Sequence, residues 1–87
     1  MENYHRIGIV LHYFDRIHVA VIRLEDKLYT DDWILLYGPR TEFTQQVYSM
    51  QVNHEPVGEG EPGEDIALKV DDVVREGDEV YLVSQES

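Results

Sequence analysis

The apolar positions of this chain fall into short alternating runs. At residues 66–70, Ile66, Leu68 and Val70 alternate with Ala67 and Lys69, the period of a half-buried strand. Val80 and Leu82 repeat it against Tyr81 and Val83. Near the start, Ile7, Ile9, Leu11 and Tyr13 alternate with Gly8, Val10 and His12. Gly8 inside that run predicts a bend or a close approach of two backbones. Residues 19–24, VAVIRL, are apolar enough to be buried on both faces for part of their length. Residues 33–37 predict a further strand. Residues 43–52 predict the longest one, with a bulge near Gln46 where the two faces are not cleanly separated. No helical period of useful length occurs, and only residues 73–76 suggest a single helical turn.

Turn signals separate these runs. Gly38-Pro39 ends one strand, because Pro cannot join a ladder and Gly permits the reversal. Gly63 and Gly77 open the last two strands, and Gly77 is expected at positive φ. Asp32 and Asp78 each stand before a strand, in a weak internal echo. There a carboxylate bonds backbone N–H groups two residues on and holds the turn. Residues 53–65 hold three Gly, two Pro and five acidic residues and read as a surface loop. No linker or low-complexity tract interrupts the pattern. It predicts one domain over residues 1–87, a small closed β-barrel with its ordered core at about residues 6–83.

Charge changes this picture more than length does. Eighteen Asp and Glu against seven Lys and Arg give a formal net charge of -11. Nucleic-acid affinity comes largely from Lys and Arg displacing phosphate counterions, so independent RNA binding is disfavoured. A well-solvated surface, a basic protein partner or a high-salt environment would each suit such a composition. There is no Cys, which fits a reducing cytoplasm and rules out disulfides and thiolate metal sites. No apolar run reaches membrane-spanning length. The first residues, MENYHRIGIV, lack a basic region followed by an apolar core, so no secretory signal is expected.

Candidate chemistry is sparse. His5, His12, His18 and His54 lack tight ligand spacing. His12 and His18 are the pair a hairpin would bring close, with Asp15 between them. Glu59, Glu61, Glu64, Asp65, Asp71 and Asp72 lack a calcium-loop pattern and read as solvated surface. Thr44 and Ser49 have no evident His and Asp partners. Tyr13, Phe14, Tyr29, Trp33, Tyr37, Phe43, Tyr48 and Tyr81 would stack bases in a basic groove, which the composition does not supply, so core packing is expected for most of them. No metal, cofactor, nucleotide or catalytic residue is expected.

The segments IGIV, VAVIRLEDKLYTDDWILLYG, VYSMQV, PGEDIALKV and VREGDEVYLV resemble the second domain of translation elongation factor Tu. The likeness is greatest to small stand-alone proteins called translation elongation factor-like. A similar barrel is appended to collagenase-like peptidases, some of whose members modify tRNA. The resemblance covers about residues 6–83 and lies mostly in turns and core positions. It implies a closed, six-stranded, antiparallel-type barrel of the translation-factor domain 2 type. The tRNA-contacting residues of the large factor are not carried over. Residues 12–18, HYFDRIH, lack its Gly-Arg-Gly loop, and Ser49 and Gln51 stand where a Glu and an Arg flank its Met. Asp31 replaces the Gly of the usual Gly-Asp turn. There is no P-loop and no GTPase domain.

These observations predict a non-catalytic, cytoplasmic interaction module with a protein partner. The alternatives are an accessory RNA-binding module for tRNA or the ribosome, and a non-catalytic subunit of a separate peptidase or tRNA-modifying enzyme. The loop carrying His12, Tyr13, Phe14, Asp15, Arg16 and His18, with Arg40, is the expected partner-binding surface, because loops are where a partner can reach cationic side chains.

Overall fold

The structure is a computed structural model describing residues 2–85. Ten strands follow one another: β1 (Glu2–Phe14), β2 (Val19–Leu24), β3 (Leu28–Tyr29), β4 (Trp33–Gly38), β5 (Thr41–Gln46), β6 (Met50–Val52), β7 (Glu55–Pro56), β8 (Glu59–Gly60), β9 (Asp65–Lys69) and β10 (Glu79–Gln85). Eight form one antiparallel sheet in the order β5-β4-β10-β1-β2-β9-β6-β7. The short β3 and β8 pair separately. No helix occurs among the described residues, so none is long and apolar enough to cross a membrane.

The expected closed six-stranded barrel is corrected here. The sheet is a strongly curled half-barrel whose ladders end at β5 and β7. The long strand expected at residues 43–52 is split into β5 and β6. After Gln46 the chain leaves the ladder, because the Val47 side chain is fully buried. The Val47 N–H donates to the Asp32 carbonyl, and the Val47 carbonyl accepts from the Asp31 N–H. With both backbone groups committed there, residues 47–49 cannot continue the strand.

The curl originates in β1, which pairs on both sides. Its register slips against β10 between Arg6 and Gly8, and against β2 between Val10 and His12. Such slips add twist and bend a strand. They lie here and not near Gln46. Gly8 shows the expected close approach: a Cβ there would meet the Arg23 carbonyl oxygen at 2.8 Å and Ile22 Cγ2 at 2.9 Å.

One carboxylate device closes three turns. The Asp32 carboxylate accepts the Tyr29 N–H at 2.9 Å, while the Asp32 N–H donates back to the Tyr29 carbonyl. Asp78 and Arg75 repeat it, as do Glu64 and Glu61. The side chain therefore reaches three residues back, not two residues on. It also replaces the single helical turn expected at residues 73–76, since the Arg75 N–H is taken by the Asp78 carboxylate. Gly63 and Gly77 take φ of 88° and 90°, and Asp31, in the position usual for Gly, takes 77°.

The interior is aliphatic. Ile7, Ile22, Leu24, Leu28, Ile34, Leu36, Ile66 and Leu68 fill it, with Met50. Thr41, Gln45 and Asp78 are the buried polar residues, Gln45 at 2 % exposed. Its amide N–H donates to the Lys69 carbonyl at 3.0 Å, and its Oε1 accepts the Asp71 N–H at 2.7 Å. Beside it the Arg75 guanidinium donates to the Arg40 carbonyl and the Thr41 hydroxyl. Side chains, not a ladder, thus join β5 to the β9–β10 connection.

Two substitutions test this arrangement. Leu68→Ala removes a fully buried side chain from β9 and is expected to cost about 2–5 kcal/mol, read as a lower urea midpoint. Gln45→Leu keeps the volume but leaves the Lys69 carbonyl and the Asp71 N–H without partners. A loss of about 2–4 kcal/mol is expected, with faster amide exchange at Asp71. Wild-type exchange there would mean that the bridge does not close the seam.

Candidate functional site

The structure places the residues of the expected partner loop at the end of β1, in the β1–β2 connection and in the β4–β5 turn. His12 stands at the exposed end of β1, edge-on to the Phe14 ring with centroids 4.4 Å apart. Its Nδ1 lies 3.6 Å from the Glu76 carboxylate. The Tyr13 hydroxyl lies 3.4 Å from His18 Nδ1, and His18 takes a positive φ of 57°. Asp15 and Arg16 are exposed at the tip. Arg40 sits in the β4–β5 turn, reached only through Arg75 on its carbonyl. Neither Arg16 nor Arg40 has an ion-pair partner among the described residues. No three His, Asp or Glu side chains among the described residues converge as metal ligands.

Two surfaces on the outside of the sheet remain. The first continues the loop. Alternation in β2 turns Val19 and Val21 outward, and the antiparallel register sets them against Lys69 and Ala67 of β9. With Phe14, Ile17, Ser49, Gln51 and His54 they line a groove of about 550 Å³. No carboxylate lines it, in a chain of net charge -11.

The second surface lies across β4, β10 and β1. In β4, Ile34 and Leu36 face inward, so Trp33, Leu35 and Tyr37 face out. Their partners in β10 are Val83, Tyr81 and Glu79. Tyr4 of β1 lies opposite Val83, and Arg6 opposite Tyr81. On the other side of β4, Gln46, Thr44 and Glu42 of β5 complete the rows. Two shallow depressions result, one of about 230 Å³ lined by Tyr4, Leu35, Tyr37 and Tyr81, the other of about 510 Å³ lined by Glu2, Trp33, Thr44 and Val83.

This face is acidic at its margins. The Tyr4 hydroxyl is pushed above the ordinary phenol range, first by the Glu2 charge, then by burial, its bond to Glu2 and the Glu42 charge. Tyr81 is pushed up by burial and by its bond to Glu79. Arg6 is already engaged, with Glu79 on one side and Glu25 on the other.

The sequence reading placed most of these aromatics in the core, and the structure corrects it. Phe14, Tyr29, Trp33, Tyr37 and Tyr48 are exposed, Trp33 by 52 %. Tyr13, Phe43 and Tyr81 are half-buried. The signal was present in strand parity. Ile34 and Leu36 fill the inward positions of β4, and Trp33, Leu35 and Tyr37 occupy the outward ones.

No established family profile matches the chain. Over 80 residues, 91% of the chain, it is 39% identical to an uncharacterized protease of Methanocaldococcus jannaschii, and it spans 20% of that protein's length. Two crystal structures of the C-terminal domain of a Geobacillus thermoleovorans protein, named as a U32 peptidase, share the fold. Both superpose with a TM-score of 0.83 at 18% identity over 87% of this chain, covering 96% and 89% of theirs. The fold is thus that of a peptidase-associated C-terminal barrel. These relatives carry peptidase names and none is named as an elongation factor, so of the two resemblances in the sequence the peptidase-appended one has support.

If the aromatic face is not part of the folding core, trimming it leaves stability nearly intact. Trp33→Ala and Tyr37→Ala are each expected to cost under about 1 kcal/mol, the range for cross-strand surface pairs. A thermal midpoint lowered as far as by Leu68→Ala would make the face structural.

Proposed function

We propose that the chain is a non-catalytic barrel acting as the protein-interaction part of a peptidase-like protein, within one polypeptide or as a separate subunit, in the cytoplasm. The observation that carries this reading is the 39% identity to a segment making up a fifth of a protein named as a protease. One feature of the barrel supports it: the outer faces carry the Tyr, Trp and Phe that protein interfaces favour.

An RNA-binding role of the translation-factor kind has one point in its favour, the exposed aromatic rings. Against it stand the charge of -11 and the carboxylates that border those rings. Phosphate-driven affinity needs cations, and the chain has seven Lys and Arg against eighteen Asp and Glu.

Size-exclusion chromatography of the chain co-expressed with a U32-type peptidase from the same organism tests the first reading. Co-elution, with no peptidase activity in the chain alone, is expected. Separate elution, or activity in the chain alone, would refute it. Fluorescence titration with uncharged and aminoacylated tRNA is expected to show no binding at about 50 mM or 200 mM salt. Tight binding that falls steeply across that range and is lost on Arg16→Ala with Arg40→Ala would establish the RNA reading instead.

A further inference from the structure

We infer that the aromatic face of β4, β10 and β1 is a docking site for an extended, arginine-bearing segment of a partner protein. The inference rests on the protein-interaction reading above and names the surface and the chemistry that surface takes.

The rows of the sheet set rings beside carboxylates. Tyr37 lies between Glu42 of β5 and Glu79 of β10 in the register of both ladders. The depression at Trp33 is bordered by Glu2. A guanidinium over such a ring is attracted by the ring face and by the neighbouring carboxylate together. Arginine suits the site better than lysine, because its plane stacks on a ring while its fork bonds a carboxylate.

Glu79 is paired with Arg6, but Glu2 and Glu42 have no cation among the described residues. The charge supply of the face is therefore unspent at two of its margins. Trp33, Leu35 and Tyr37 are spaced two residues apart on one strand, so their side chains repeat at about 6.6 Å. An extended segment presents its own alternate side chains at the same interval, so successive ones meet successive outward positions of β4.

The charge argues against two other occupants. A second copy would bring Glu2 and Glu42 of both chains onto one interface, each copy carrying -11. A single-stranded nucleic acid would stack on the rings but set its phosphates against the same carboxylates. The groove beside Phe14 has the opposite character, with Lys69 and no carboxylate, and does not suit a cationic segment.

Trp33 is the one tryptophan of the chain and half-exposed on this face, so its emission reports occupancy directly. The probe is an octapeptide alternating arginine and threonine, titrated at about 150 mM salt to suppress loose ionic adhesion. A saturable change in emission is expected, weakened about tenfold by Tyr37→Ala with Glu42→Gln. Both residues are exposed, so the variant keeps the fold. Glu59→Gln, which removes the same charge on β8, is expected to leave binding unchanged. Equal weakening by Glu59→Gln, or none by the double variant, would overturn the site as mere adhesion to an acidic chain. An emission change with a ten-nucleotide oligouridylate and none with the peptide would overturn it in favour of RNA. Self-association in sedimentation that the double variant abolishes would overturn it in favour of a second copy. None of these measurements uses a peptidase, so their failure is separate from failure of the co-elution experiment.

Discussion

Between β5 and β9 no backbone ladder is present, yet a largely aliphatic interior lies behind the gap. Any opening there would wet the core and leave strand-edge groups without partners. The Gln45 amide meets this constraint with two bonds across the seam, one donated to Lys69 and one accepted from Asp71. A buried amide is costly unless its polar atoms are paired, and here both ends are. Arg75 does the same a few residues away, tying the start of β5 to the β9–β10 connection. The half-barrel is thus sealed by a few side chains where a closed barrel would use a row of peptide bonds.

That seal works only because the sheet curls far enough to bring its two ends together. The curl is concentrated in β1, the strand paired on both sides, where two register slips occur within a few residues. Gly8 lies at one of them because no side chain fits against the Arg23 carbonyl. The turns are then pinned by carboxylates reaching back three residues, at Asp32, Glu64 and Asp78. With Asp26 and Asp72, which accept the next residue's N–H, five of the eighteen acidic side chains hold backbone, and much of the remainder faces solvent.

The size of the interior decides what is left for function. The small curled sheet is filled by branched aliphatics and a methionine, with Tyr13 and Phe43 packed against them. Trp33, Tyr37 and Tyr81 stand on the outer face of β4 and β10, beside rings and carboxylates of neighbouring strands. The same fold occurs as the C-terminal domain of a Geobacillus thermoleovorans protein named as a peptidase.

Much of this was legible along the chain. Alternation located β2 to the residue, and β4, β9 and β10 to within two residues, because each strand buries one parity of positions and the period of two survives in the sequence. Gly77 announced its positive φ. The missing information is non-local. The split between β5 and β6 follows from Val47 bonding Asp31 and Asp32, which no local propensity encodes. The open sheet follows from a seam bridged by Gln45 to residues 24 and 26 positions away. Trp33, Tyr37 and Tyr81 are simply hydrophobic in the sequence. Only the packed core, already filled by Ile34, Leu36 and Val80 on the opposite parity, determines that these rings face solvent, because periodicity says that two faces differ and tertiary volume says which of them is inside.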